Sequence, residues 1–199
     1  MNMIKFFLLA SILHLAACAP PRPAAEAPAN EHMPLKVRKA QTKKVSAWEI
    51  RGAMAAKQGN KGWSASLNWL QRGPHNYQLR LFGPLGGGAV KISRRGNVVS
   101  FQDGPKEVSS TNATQLLREQ TGISLPVNNL YYWVRGLNAP GSVQSEKHDS
   151  YNHLTKLKQA GYTIIYSRYT SVNGTDLPSK IRLVGHGVTI KLIVKQWNI

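Results

Sequence analysis

From Gly62 to Gln71 the chain places Trp63, Ala65, Leu67 and Trp69 on one parity and Ser64, Ser66 and Asn68 on the other. Successive side chains of an extended strand point to opposite faces, so this run has one apolar, aromatic face and one polar face. Such a face is stable only inside a sheet with something to cover it. The same period of two recurs along the chain. It runs over Ser46 to Lys57, over Asn76 to Leu81, where Tyr77, Leu79 and Leu81 alternate with Gln78 and Arg80, and through Val90 and Ile92 against Lys91 and Ser93. Asn97 to Gln102 and Lys106 to Ser109 are shorter candidates, and Asn152 to Gln159, Tyr162 to Tyr169, Lys180 to Val184 and Val188 to Trp197 resume the pattern later. Gly73-Pro74, Asp103-Gly104-Pro105 and Gly185-His186-Gly187 supply turns between neighbours, which makes an antiparallel meander the simplest topology.

The pattern changes mid-chain. Asn112 with Gln115 three residues on has the form of a capping box, Leu116 and Leu117 give an apolar stripe, and Gly122 is placed to end a short helix. Pro126 opens a second, with Leu130, Trp133, Val134 and Leu137 at i, i+3, i+4 and i+7 and Gly136 near its end. A large sheet with one apolar face must curl, and two helices with apolar stripes are its cover. The expected fold is therefore mainly β (α+β), a strongly curled antiparallel sheet with a short helical lid inserted mid-chain. A curled sheet under a lid encloses an interior, either filled by side chains or open to a ligand, and both readings stand at this stage.

The first residues lie outside this domain. Lys5 precedes an apolar run from Phe6 to Ala17, too short to span a bilayer, which ends in Leu15-Ala16-Ala17-Cys18. Residues 1–17 read as a signal peptide. Cys18 is the single cysteine and has no internal disulfide partner. Leu-Ala-Ala-Cys resembles the lipobox of bacterial lipoproteins, which implies an acylated Cys18, and Ala19 after it matches the outer-membrane class. Ala19 to Leu35 is rich in Ala and Pro without periodicity, a tether that reaches on the order of 50 Å at about 3.1 Å per residue. Lys36, Arg38, Lys39, Lys43 and Lys44 follow, either drawn to anionic lipid or simply a solvated arm. The domain division is thus 1–17 signal, 18–44 lipidated cysteine and basic tether, and 45–199 a β domain.

Twenty-six basic residues against nine acidic give a net charge of +17. That charge predicts attraction to anionic surfaces; an exported, lipid-anchored chain does not normally meet nucleic acid, so phospholipid headgroups or an acidic protein are the better candidates, beside a solvated basic surface with no specific partner. Phe82-Gly83-Pro84-Leu85-Gly86-Gly87-Gly88 joins two strands. Pro84 and the glycines leave Leu85 as the one large apolar side chain of the loop interior, either folded back on its own sheet or probing something apolar outside.

Catalytic patterns are missing from the sequence. Gly88 is followed by Ala89 and Val90 where a phosphate-binding loop needs Lys and Ser or Thr, and no Gly-x-Ser-x-Gly elbow occurs. His148, Asp149 and His153 form the one cluster with metal-ligand types, and without a cysteine or a fourth ligand they read as polar side chains exposed to water. The expectation is a non-enzyme with no cofactor and no metal.

Several segments together resemble LolB, the receptor family of bacterial lipoprotein sorting: Cys18 in its lipobox, Trp69-Leu70-Gln71, Gly83-Pro84-Leu85-Gly86, Thr121 to Val127, and Leu130 to Gly136 with Trp133 and Arg135. The resemblance implies an incomplete antiparallel β-barrel of the LolA/LolB kind, anchored by lipid in the outer membrane and facing the periplasm. It implies that triacylated lipoproteins pass from the periplasmic carrier LolA into an apolar cavity and on to outer-membrane phospholipid. Pro84, Leu85 and Gly86 then form the membrane-insertion loop. Trp63, Leu67, Trp69, Leu79, Leu81, Trp133, Ile190 and Leu192 are the candidates for the cavity wall, in a chain expected to be monomeric. The alternative is a structural lipoprotein of the envelope with a closed core and a basic surface for anionic lipid or an acidic partner.

Overall fold

The computed structural model describes residues 28, 32–83 and 89–199. Eleven strands form one antiparallel sheet. Six precede the helical insert: β1 (Ala47–Gln58), β2 (Lys61–Arg72), β3 (Asn76–Phe82), β4 (Ala89–Arg95), β5 (Val98–Asp103) and β6 (Lys106–Ser110). Five follow it: β7 (Val143–His148), β8 (Leu154–Gln159), β9 (Tyr162–Val172), β10 (Thr175–Gly185) and β11 (Val188–Asn198). The spatial order is β6-β5-β4-β3-β2-β1-β11-β10-β9-β8-β7, so the two meanders join where the first and last strands pair. β6 and β7 each have a single neighbour among the described residues, and the sheet is not closed into a barrel.

Alternation fixes the register. Leu67 lies opposite Leu81 and Gly52, and Met54 opposite Ala65 and Leu192, so the apolar parity of each strand meets that of its neighbours on the concave side. Gly52 sits at a bulge in the β1–β11 ladder, where any Cβ would collide with the Ile193 carbonyl oxygen. That close approach requires glycine and increases the local twist.

The chain crosses the concave side between β6 and β7. Helix α2 (Ala113–Thr121) starts at Asn112, whose side chain accepts a hydrogen bond from Gln115 N at 3.0 Å, and ends at Gly122 in the left-handed conformation. Helix α3 (Val127–Trp133) stops earlier than the spacing out to Leu137 predicts. Its end tightens into turns, with Leu137 N donating to Tyr132 O and Gly136 at a φ of +75°.

Three expectations are corrected. Leu35–Lys44, expected as basic tether, is a helix, α1, packed beside β10. Val143–His148 is a strand that the pattern hides, because its one large apolar residue is Val143. β10 begins at Thr175 rather than Lys180, since Pro178 and a shifted register interrupt the alternation that marks a strand.

Candidate functional site

The apolar faces of β1, β2, β3 and β11 supply Ile50, Met54, Leu67, Trp69, Leu79, Leu81, Ile190 and Leu192 to the concave side. The insert opposes them with Leu116, Leu117, Ile123, Leu125, Leu130 and Trp133. All of these belong to one continuous apolar cluster. Of the eight residues expected at the cavity wall, seven are buried in this cluster and Trp63 is half-buried against it. The interior between sheet and insert is occupied by these side chains.

Polar bonds, most of them buried, hold the insert down. Gln159 of β8, 1 % exposed, is central to them. Its Oε1 accepts from Trp133 Nε1 and Ala139 N, both at 2.9 Å, and its Nε2 donates to Ala139 O at 2.6 Å. Tyr166 OH donates to Trp133 O at 3.0 Å. Arg135, two residues beyond α3, donates from Nε to Tyr131 O at 3.0 Å and from an NH group to Val45 O at 2.7 Å, with its guanidinium 3.9 Å from the centre of the Tyr131 ring. Burial pulls the Arg135 pKa below the usual guanidinium range, and the Tyr131 and Tyr132 rings oppose that shift. At the other end of the insert Ser124 N donates to Gln58 Oε1 at 3.0 Å. Sequence reasoning passed over Gln159 and Tyr166, since one glutamine or tyrosine in a strand carries no periodic signal.

A second polar network lies outside the interior. Arg38 of α1 reaches Asp176 of β10 at 2.7 Å, and their side chains are 9 % and 2 % exposed. His153 Nε2 lies 2.8 Å from the same Asp176 oxygen, and its Nδ1 lies 3.0 Å from Asp149 Oδ2. The surface reading of His148, Asp149 and His153 is thereby corrected. His153 is buried with a carboxylate on each ring nitrogen, and His148 stands apart, 3.6 Å from Glu146. Burial pushes the Asp149 carboxyl up, but the hydrogen bonds from the His153 backbone and ring outweigh it and hold the group below its ordinary value.

Cys18 and the loop residues Pro84, Leu85 and Gly86 lie outside the described residues. The ends of that loop are fixed by the pairing of Phe82 with Ala89. Phe82 itself is 37 % exposed.

The family model for the outer membrane lipoprotein LolB matches residues 46–197. An outer-membrane lipoprotein LolB from Ectopseudomonas mendocina is 35% identical over 200 residues, covering 98% of this chain and 97% of the relative. Another from Coxiella burnetii is 37% identical over 156 residues, covering 78% and 73%. Among solved structures, a LolA superfamily protein from Nitrosomonas europaea superposes with a TM-score of 0.52 at 9% identity, over 84% of this chain and 94% of that one. This last likeness concerns the fold.

Proposed function

The chain belongs to the LolB family of lipid-anchored outer-membrane lipoproteins that serve lipoprotein sorting, and from that premise we propose that it takes acylated lipoproteins from a periplasmic LolA-type carrier into its apolar interior and sets them into the outer membrane without nucleotide. The observation that carries this reading is the concave apolar face covered by an insert that buried polar bonds tie to the sheet. Acyl chains enter by displacing α2 and α3 from that face. Both the incoming chains and the outgoing leucines are hydrocarbon, so the exchange is close to balanced. In water, by contrast, three acyl chains would expose hydrocarbon at about 0.8 kcal/mol per methylene, tens of kcal/mol in all. A gradient of affinity from carrier to receptor to bilayer therefore suffices to drive transfer. In this reading Cys18 carries the anchor, and Leu85 meets the bilayer at the point of release.

The test is transfer of a radiolabelled triacylated lipoprotein from its purified carrier to the mature chain, residues 18–199, with Cys18→Ser so that it stays in solution. Transfer without nucleotide supports the receptor reading. In the lipidated protein, Leu85→Glu is expected to keep uptake and lose delivery, and normal delivery by that variant refutes the role given to Leu85. The packed interior favours one other reading, a structural lipoprotein with a closed core. Failure of a well-folded chain to take cargo from its carrier would select it.

A further inference from the structure

The convex side of the sheet carries cations in an arrangement that the interior does not use. Lys147 pairs with Lys156, Lys156 with Ile165, Ile165 with Arg182, and Arg182 with Lys191, a single cross-strand row over β7 to β11. In the adjacent row Arg168 lies opposite Lys180. Three pairs of like charges thus stand directly opposite one another on neighbouring strands, an arrangement that destabilises a sheet unless something neutralises it. None of these six cations has a carboxylate within ion-pair distance among the described residues, and no outward-facing position of β8 to β11 is Asp or Glu.

The second row continues from Lys180 through Ile193, Ala53 and Ser66 to Phe82. Ile193 is 46 % exposed. The small side chains between Ile193 and Phe82 leave a shallow trough of ≈ 670 Å³. Cations spread at strand spacing over about 20 Å do not converge on one carboxylate. They match a field of headgroups, and exposed apolar side chains among them are what binding at a lipid interface uses. Phe82, the last strand residue before the Gly83–Gly88 loop, lies on the same face.

We propose that the convex face of β7–β11 is a docking surface for anionic phospholipid headgroups, which lays the domain on the membrane with Phe82 toward the lipid. The inference deepens the receptor reading and rests on its membrane location. The acyl anchor keeps the surface within reach of the bilayer, so the cations orient the domain rather than recruit it.

The test uses the unlipidated mature chain with Cys18→Ser and co-sedimentation with vesicles of phosphatidylcholine, with or without phosphatidylglycerol. Binding is expected to the anionic vesicles alone and to fall steeply with salt. Each cation near an anionic surface is worth roughly fivefold in partitioning. Joint Lys156→Gln, Lys180→Gln, Arg182→Gln and Lys191→Gln is therefore expected to reduce binding by about 600-fold. Lys36→Gln, Lys43→Gln and Lys44→Gln on α1 is expected to change it little. Equal binding to neutral vesicles, or undiminished binding by the fourfold variant, overturns the proposal. So does an equal loss in the α1 variant. Cargo uptake from the carrier, measured without vesicles, separates the two readings. Loss of uptake in the fourfold variant with vesicle binding intact assigns the face to an acidic protein and overturns lipid docking. Failure of the unaltered chain to take cargo while it still docks through this face refutes the receptor reading alone.

Discussion

Helix α1 is held to the sheet almost wholly by polar contacts, and replacing Arg38 with Ala tests that. Arg38 and Thr42 are its buried residues, Val37 is 45 % exposed, and no residue of α1 belongs to the apolar core. In place of apolar burial Arg38 donates to Asp176 at 2.7 Å and to Tyr151 O at 3.0 Å, and Lys39 reaches Glu146 at 2.8 Å. Removing one partner of a buried ion pair costs about 3–5 kcal/mol because the remaining charge is left uncompensated. His153 stays beside Asp176 at 2.8 Å, so the lower end applies. About 3 kcal/mol corresponds to roughly a hundredfold rise in the undocked population, at 1.36 kcal/mol per decade. A ten-residue helix does not persist alone in water, so the undocked segment melts. Amide hydrogen exchange across 35–44, and tryptic cleavage at Lys36, Lys39, Lys43 and Lys44, should therefore accelerate by about two orders of magnitude. The thermal transition of the sheet should move by only a few degrees. Adding Asp176→Asn removes the stranded charge and should restore part of the loss. Exchange of 35–44 at the unaltered rate, or its loss only in concert with the whole sheet, would refute the reasoning.

Trp133→Ala should lower global stability by about 3–5 kcal/mol in urea titration, since the side chain is 0 % exposed and its ring nitrogen is bonded to Gln159. Trp133→Phe, which keeps most of the packing, should lose clearly less. Stability should also fall on acidification in two windows. Burial holds the His148 pKa below its ordinary value, so its contribution is complete above about pH 6.5 and is lost as pH falls through the folded value. Burial raises the Glu146 and Asp149 carboxyls, but the bonds from Lys39 and Asn138 to the one and from His153 to the other leave both lowered. Their contribution is complete above the unfolded value near pH 4 and is lost below it. Melting temperatures across pH 2 to 8 check both windows, and a higher value at pH 5 than at pH 7.5 contradicts the first.

Where one face of the chain is apolar, the sequence was easy to read. Trp63 to Trp69 and Val188 to Val194 alternate so regularly that strand, register parity and buried face follow from spacing alone, and the Asn112 cap with Gly122 bounds α2 to within a residue. Elements held by polar groups were not legible. The contacts of Arg38 are 113 and 138 residues away in the chain, so α1 looked like a solvated arm. β7 is an edge strand whose ladder bonds, rather than side chains, define it. The interior itself was legible as a set of residues, and seven of the eight expected ones meet there, but periodicity cannot reveal which side chains fill the space opposite them. Gln159, which ties Trp133 and Ala139 down, is one polar residue in an otherwise ordinary strand.

The order of the strands also has a mechanical consequence. In a closed barrel the number of ladders sets the girth, and the interior cannot widen without breaking hydrogen bonds. Here the seam between β6 and β7 is crossed by the chain itself, through α2 and α3. The two lips of the sheet can part by added twist with every ladder intact. The segment that fills the interior is thus tied at its two ends to the two free edges of the sheet, so the girth of the fold and the position of its filling share one set of attachments.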